Sequence, residues 1–172
     1  MNIKKIVLIA VILMIAISSL SMVSAGWFDF LNPGKTTVNG IEFNVTGFKE
    51  FTSDAGLGQG VLKKVIIGSE GAHSEIKSFE DENGNSLVIC VYDNPNKNLT
   101  LDKIQFNGVS SNVKIKNATN GGKDGLYLSI PSDAHHSASE FAYIEDGKLV
   151  VLHIEQSKSS KNIYESDIIG HK

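Results

Sequence analysis

The stretch SDAHHSASE, Ser132 to Glu140, places Asp133, His135, His136 and Glu140 within eight residues. Imidazole nitrogens and carboxylate oxygens are zinc ligands, taken three or four at a time in a tetrahedral array. On a helix, His136 and Glu140 would share a face at i, i+4. On an extended chain, His135 and His136 point to opposite sides, so one ion does not take both. His153 lies on a later apolar segment from which it could approach. His135, His136, Glu140 and His153 are therefore the candidate metal ligands. The competing reading is a polar surface loop. His73 and His171 sit beside glycines and in a tail, and neither is given a role.

Cys90 is the single cysteine, set in LVICVY. In that context a thiol reads as a buried apolar group. A Cys90–His153 nucleophile pair is conceivable if their strands are neighbours, but burial raises a thiol's pKa and makes it inert. The glycine-rich DAGLGQGVLKK, Asp54 to Lys64, lacks the Gly, four residues, Gly-Lys-Ser/Thr spacing of a phosphate-binding loop. Ser132 lacks the G-x-S-x-G elbow of a strained serine nucleophile. The acid pairs Asp81-Glu82 and Glu145-Asp146 fall at turns, where carboxylates face solvent. These motifs give no catalytic residue and no cofactor, and a non-enzymatic reading is preferred.

Asn44, Asn98 and Asn117 each begin an N-x-Thr sequon. Three is close to what chance gives in a chain this rich in Asn, Ser and Thr. They are candidate glycosylation sites in an exported protein.

Hairpin chemistry dominates the elements that must position these groups. Asn39-Gly40 and Asp146-Gly147 supply the paired positive φ values of a two-residue type I′ turn between alternating segments. Ile41, Phe43 and Val45 then face one way. Leu149 to Ile154 is apolar on both faces for much of its length, with Val150, Leu152 and Ile154 on one side and Leu149, Val151 and His153 on the other. Two more hairpins are expected, one across the acidic loop Asp81 to Asn85 and one across Asn120 to Lys123. A strand over Val61 to Ile67 is expected to join the same sheet. Short helices are expected after Thr100, closed by Gly108, and after Ser160 as N-cap. The expected fold is α+β: an antiparallel sheet of about six to eight strands built from hairpins, with one or two short helices on one face. A β-sandwich is the alternative.

At the N-terminus, Lys4 and Lys5 precede an apolar run, Ile6 to Ile17, and then Val23-Ser24-Ala25. A basic start, an apolar middle and a small-residue end make a signal peptide over residues 1–25. The run is shorter than the ~20 residues that span a bilayer. The alternative is an uncleaved anchor over residues 6–25. No Cys lies near the junction, which argues against a lipid-modified N-terminus. Residues 26–34 form an aromatic arm with Trp27, Phe28 and Phe30, and residues 35–172 form a single sheet-rich domain. Loss of two of the 16 Lys takes the charge from −3 to −5, and the chain has no Arg. A mildly acidic chain without guanidinium groups is a poor match for nucleic acid or anionic lipid, so neither is expected as a partner.

The Lys-Lys signal ending in Ser-Ala, the GWFDF arm, VNGIEFNVTGFKE and FAYIEDGKLVVLHI together resemble small exported proteins of methanogenic archaea, a family without known function. The resemblance implies export and a sheet-rich fold, and carries over no site residue. The expectation is an exported extracellular or envelope-associated domain that binds a cell-envelope or extracellular protein or glycan. Two alternatives are kept. One is an exported metal-binding protein or metal-dependent enzyme using His135, His136, Glu140 and His153. The other is a membrane-tethered accessory subunit.

Overall fold

The computed structural model describes residues 34–51, 65–66, 74–93, 99–106, 113–130, 134–160 and 162–170. A unit boundary falls between Pro33 and Gly34, and the residues before it lie outside the described set. The expected signal, anchor and aromatic arm therefore lie outside it, as do the loop Asp54 to Lys64, Asn98 and Asp133. Among the described residues no helix is long and apolar enough to cross a membrane.

Among the described residues there are eleven strands. In chain order they are β1 (Lys35–Val38), β2 (Ile41–Asn44), β3 (Phe48–Phe51), β4 (Val65–Ile66), β5 (Ser74–Asp81), β6 (Ser86–Tyr92), β7 (Gln105–Phe106), β8 (Lys114–Asn120), β9 (Lys123–Ile130), β10 (His136–Glu145) and β11 (Lys148–Ser157). Seven of them make one sheet, in the order β3-β5-β6-β11-β10-β9-β8, and every neighbouring pair is antiparallel. The β1–β2 hairpin stands apart as a two-stranded ribbon.

Local chemistry explains the turns. Asn39 and Asp146 adopt φ of 45° and 50°, each followed by a glycine at positive φ, so Val38 pairs with Ile41 and Glu145 with Lys148. Non-glycine residues tolerate that region mainly when they are Asn or Asp, which is why these two dipeptides fix the register. Gly125 serves close approach instead. A Cβ there would lie 2.4 Å from the Ala142 carbonyl oxygen and 2.7 Å from the Phe141 ring.

The two sheet faces carry separate apolar clusters. Phe79, Leu87, Ile89, Val91, Phe141, Tyr143, Val150, Leu152 and Ile154 face the β1–β2 ribbon and a one-turn helix, α1 (Glu165–Ile169). The ribbon contributes Val38, Ile41 and Phe43, and the helix contributes Ile168 and Ile169. Burial of each large side chain stabilises by about 1.5–3 kcal/mol, so this face holds most of the core. Cys90, Tyr92, Ala142, Leu149 and Val151 lie on the opposite face with Ile104. The ribbon is also pinned at its turn. The Asn39 amide N–H donates to Glu75, its side chain donates to Asp93, and Lys148 donates to its carbonyl oxygen.

Three expectations are corrected. The strand over Val61 to Ile67 is described only as Val65–Ile66, and it pairs with β7 in a separate two-stranded ladder rather than in the main sheet. The segment after Thr100 is a three-residue 3-10 turn, Leu101–Lys103, with no side-chain cap from Thr100. Gln105 is already committed to pairing with Ile66, so the turn has no room to lengthen into a helix. The terminal helix begins at Glu165 and is not capped by Ser160. The Ser160 hydroxyl donates instead to Asn85 and to the Ser157 carbonyl, holding the chain against the end of β11.

The acidic loop between β5 and β6 is organised by Asp81. Its Oδ1 accepts from the backbone N–H of Asn83 and Asn85, and its Oδ2 accepts from the Asn85 side chain. Partial burial pushes this carboxyl up, but the hydrogen bonds from Asn85 and Asn83 outweigh burial and hold its pKa below 3.8. A depressed carboxyl contributes stability above its unfolded pKa, and that contribution is lost as pH falls through the folded value. Asp81→Asn turns an acceptor into a donor facing the Asn85 amide. It is expected to cost about 1 kcal/mol at neutral pH. The gap between variant and wild type in urea denaturation should narrow as pH drops below 3.8; a gap that is constant with pH would refute this role.

Candidate functional site

Glu140 and His153 are the only two of the four candidate ligands that the structure brings together among the described residues. Counting outward from Glu145 opposite Lys148 places Glu140 opposite His153 in the β10–β11 register. Their side chains meet, with His153 Nδ1 3.2 Å from Glu140 Oε1. Glu140 is 0 % exposed, and the His153 side chain is 13 % exposed. Across the same row, Glu140 is flanked by Leu128 on β9, and His153 by Val88 on β6. Glu140 Oε2 has no hydrogen-bond partner among the described residues.

His135 and His136 lie elsewhere. Both are exposed, and His136 opposes Ser157 at the start of β10. It shares a sheet face with Glu140, but four residues of strand separate them, about 13 Å. No group of three His, Cys, Asp or Glu side chains converges among the described residues. The segment is a strand rather than a helix from His136 onward, which removes the i, i+4 relation between His136 and Glu140.

The same face carries Cys90 and Tyr92, opposite Val151 and Leu149 on β11. Burial pushes the Cys90 thiol up to about 12, against the opposing pull of the Tyr92 hydroxyl. Burial also raises Tyr92, and the adjoining Cys90 thiol and the Glu140 carboxylate act in the same direction. Both groups stay protonated at neutral pH. Cys90 and His153 lie diagonally on neighbouring strands, but the imidazole nitrogen goes to Glu140. Native protein is therefore expected to leave Cys90 unalkylated by iodoacetamide at neutral pH and to react fully in denaturing urea. Rapid labelling of the folded chain would sink that reading.

The Glu140–His153 arrangement has a defined chemical capacity. A carboxylate accepting from Nδ1–H fixes the imidazole tautomer and leaves Nε2 with its lone pair. Glu140 itself is sealed from solvent, so it can orient the ring but cannot exchange protons with a substrate. Sequence reading named both residues without pairing them. The signal was present in the two-residue Asp146-Gly147 turn, which sets the register once it is assigned.

Of the sequons, Asn44 has its side-chain amide engaged. Nδ2 donates to the Asp167 carbonyl, and Oδ1 accepts from the backbone N–H and the hydroxyl of Thr46. Asn117 is exposed on β8. Asn98 lies outside the described residues.

Comparison with protein-family models, curated proteins and solved structures finds no match for this chain.

Proposed function

We propose that this protein is an exported, extracellular or envelope-associated domain that acts by binding rather than by catalysis. The observation that carries the reading is the N-terminal pattern of Lys4-Lys5, an apolar run and Val23-Ser24-Ala25 ahead of a domain that begins at Gly34. The polar groups available for chemistry support it by their engagements. Asp81 organises a turn, Glu140 is sealed against His153, and Cys90 is a buried apolar group. Partners of this reading are extracellular or cell-envelope proteins or glycans, met by loops between strands. The fold is read as α+β rather than a sandwich, because the layer over the first sheet face is a two-stranded ribbon with α1.

The test is intact mass of protein recovered from the cells that make it, in medium and membrane fractions. A soluble chain beginning at Gly26 is expected. A chain retaining Met1 and confined to membranes would replace this reading with a tethered accessory subunit anchored by residues 6–25.

The Glu140–His153 contact favours a second reading, an exported metal-binding protein or metal-dependent enzyme. Zinc bound to the native state must raise thermal stability with concentration. Tag-free protein whose unfolding temperature is unmoved by zinc eliminates it.

A further inference from the structure

We propose that Asn117 is a site of N-linked glycosylation, that its glycan lies in the cleft beside β8, and that Asn44 is left bare. The proposal rests on the export reading above, because glycan donors meet a chain only after it leaves the cytoplasm. Two independent features converge on Asn117. It begins the sequon Asn117-Ala118-Thr119 and is exposed on β8, a terminal strand of the seven-stranded sheet. It also stands in the wall of a cleft of about 900 Å³ between the 3-10 turn and the β8–β9 end of the sheet.

The lining of that cleft suits a carbohydrate. Thr100, Asp102 and Asp124 offer hydroxyl and carboxylate oxygens to sugar hydroxyls, and Leu99 and Leu126 offer apolar surface to the C–H face of a pyranose ring. A concave site with a few placed polar groups among apolar ones is the usual form of a small-molecule site. Asn117 opposes Leu126 in the β8–β9 register, so its side chain leaves the sheet on the cleft side. A glycan there starts where the cleft begins.

Asn44 also begins a sequon, but it is half-buried rather than exposed. Its Nδ2 donates to Asp167 and its Oδ1 accepts from Thr46, and it lines a smaller open cleft of about 190 Å³ with Asn162, Asp167 and Ile168. A glycan on Nδ2 leaves one N–H for the Asp167 carbonyl and would crowd α1 where it meets β2.

The edge strand gives the modification a physical consequence. Among the described residues β8 ends the sheet, and it carries Ile115, 48 % exposed, between Lys114 and Lys116. Lysines on an edge strand discourage pairing with another chain. A bulky glycan two residues from Ile115 and on the same face adds steric exclusion.

The transfer forms a bond between Asn117 Nδ2 and the sugar C1 as the C1–O bond to a lipid phosphate breaks. The lipid phosphate leaves with the electron pair, and the amide proton passes to a base of the transferase. The exporting cell supplies both the lipid-phosphate-linked oligosaccharide and the transferase.

Trypsin separates the two sequons onto the peptides Asn117–Lys123 and Thr36–Lys49. In protein from its own cells, most of the first is expected to carry hexose-sized mass increments, and the second to have its bare mass. Asn117→Gln should remove the increment, and Asn44→Gln should leave intact mass unchanged apart from the substitution. A bare Asn117 peptide on a chain beginning at Gly26 overturns the glycan and leaves export standing. A bare chain retaining Met1 overturns both. Equal occupancy of Asn44 overturns the selectivity.

Discussion

His153→Leu is expected to destabilise the domain by about 3–5 kcal/mol, and His153→Leu combined with Glu140→Leu to recover most of that loss. Glu140 is 0 % exposed and lies in a row with Leu128, while His153 continues the row to Val88. Its Oε1 meets the imidazole at 3.2 Å, and its Oε2 is already without a partner among the described residues. Taking away the imidazole leaves a carboxyl group with neither water nor a donor, which is the costly half of breaking a buried pair. Taking away both polar groups leaves an apolar row continuous with Leu128 and Val88, where leucines have suitable neighbours. The check is a double-mutant cycle by urea denaturation, with the slope of the transition compared across variants. A single-variant cost below about 1 kcal/mol, or a double variant no better than the sum of its singles, would show that the pair does not hold the fold.

How far this arrangement could be read beforehand depends on the range over which each feature is encoded. Asn39-Gly40 and Asp146-Gly147 are local signals, because positive φ at two successive residues restricts composition at those positions alone. From them follow the β1–β2 and β10–β11 pairings, and with the second comes the meeting of Glu140 and His153. Alternation did the same for Ile41, Phe43 and Val45, all buried as the pattern requires. Helix ends were less legible. Thr100 and Ser160 have the chemistry of caps, but capping competes with tertiary partners, and Ser160 bonds to Asn85 instead. The pairing of Val65–Ile66 with Gln105–Phe106 joins segments some forty residues apart, and no local pattern specifies it. Among the described residues, His135 and His136 stand away from Glu140 for a related reason. His135, His136 and Glu140 are neighbours in sequence, but a strand spreads neighbours along its length and across both faces.

Asn85 is the second position where a large effect is expected, and nothing in the sequence marked it beyond its place at the end of a turn. It is 0 % exposed, and its side chain ties three segments together. Nδ2 donates to Asp81 Oδ2 at 2.7 Å, and Oδ1 accepts from the Ser157 N–H and the Ser160 hydroxyl, each at 2.9 Å. Asn85→Ala removes all three bonds while keeping the backbone bonds between Asp81 and Asn85. At about 1 kcal/mol for each lost bond, with a further penalty if Ser157 N–H is left unsatisfied, the expected loss is about 3 kcal/mol. Asn85→Asp keeps an acceptor for Ser157 and Ser160 but sets a second carboxylate against Asp81, so it should destabilise through repulsion and recover as pH falls. The two variants thus fail for different reasons and separate in a pH series. Amide exchange at Ser157 supplies the local readout: its protection should fall in Asn85→Ala beyond the change in global stability, because the end of β11 and the chain leading to α1 lose their tether. A loss below 1 kcal/mol with Ser157 protection intact would mean that packing, and not this side chain, joins the β5–β6 turn to the end of β11.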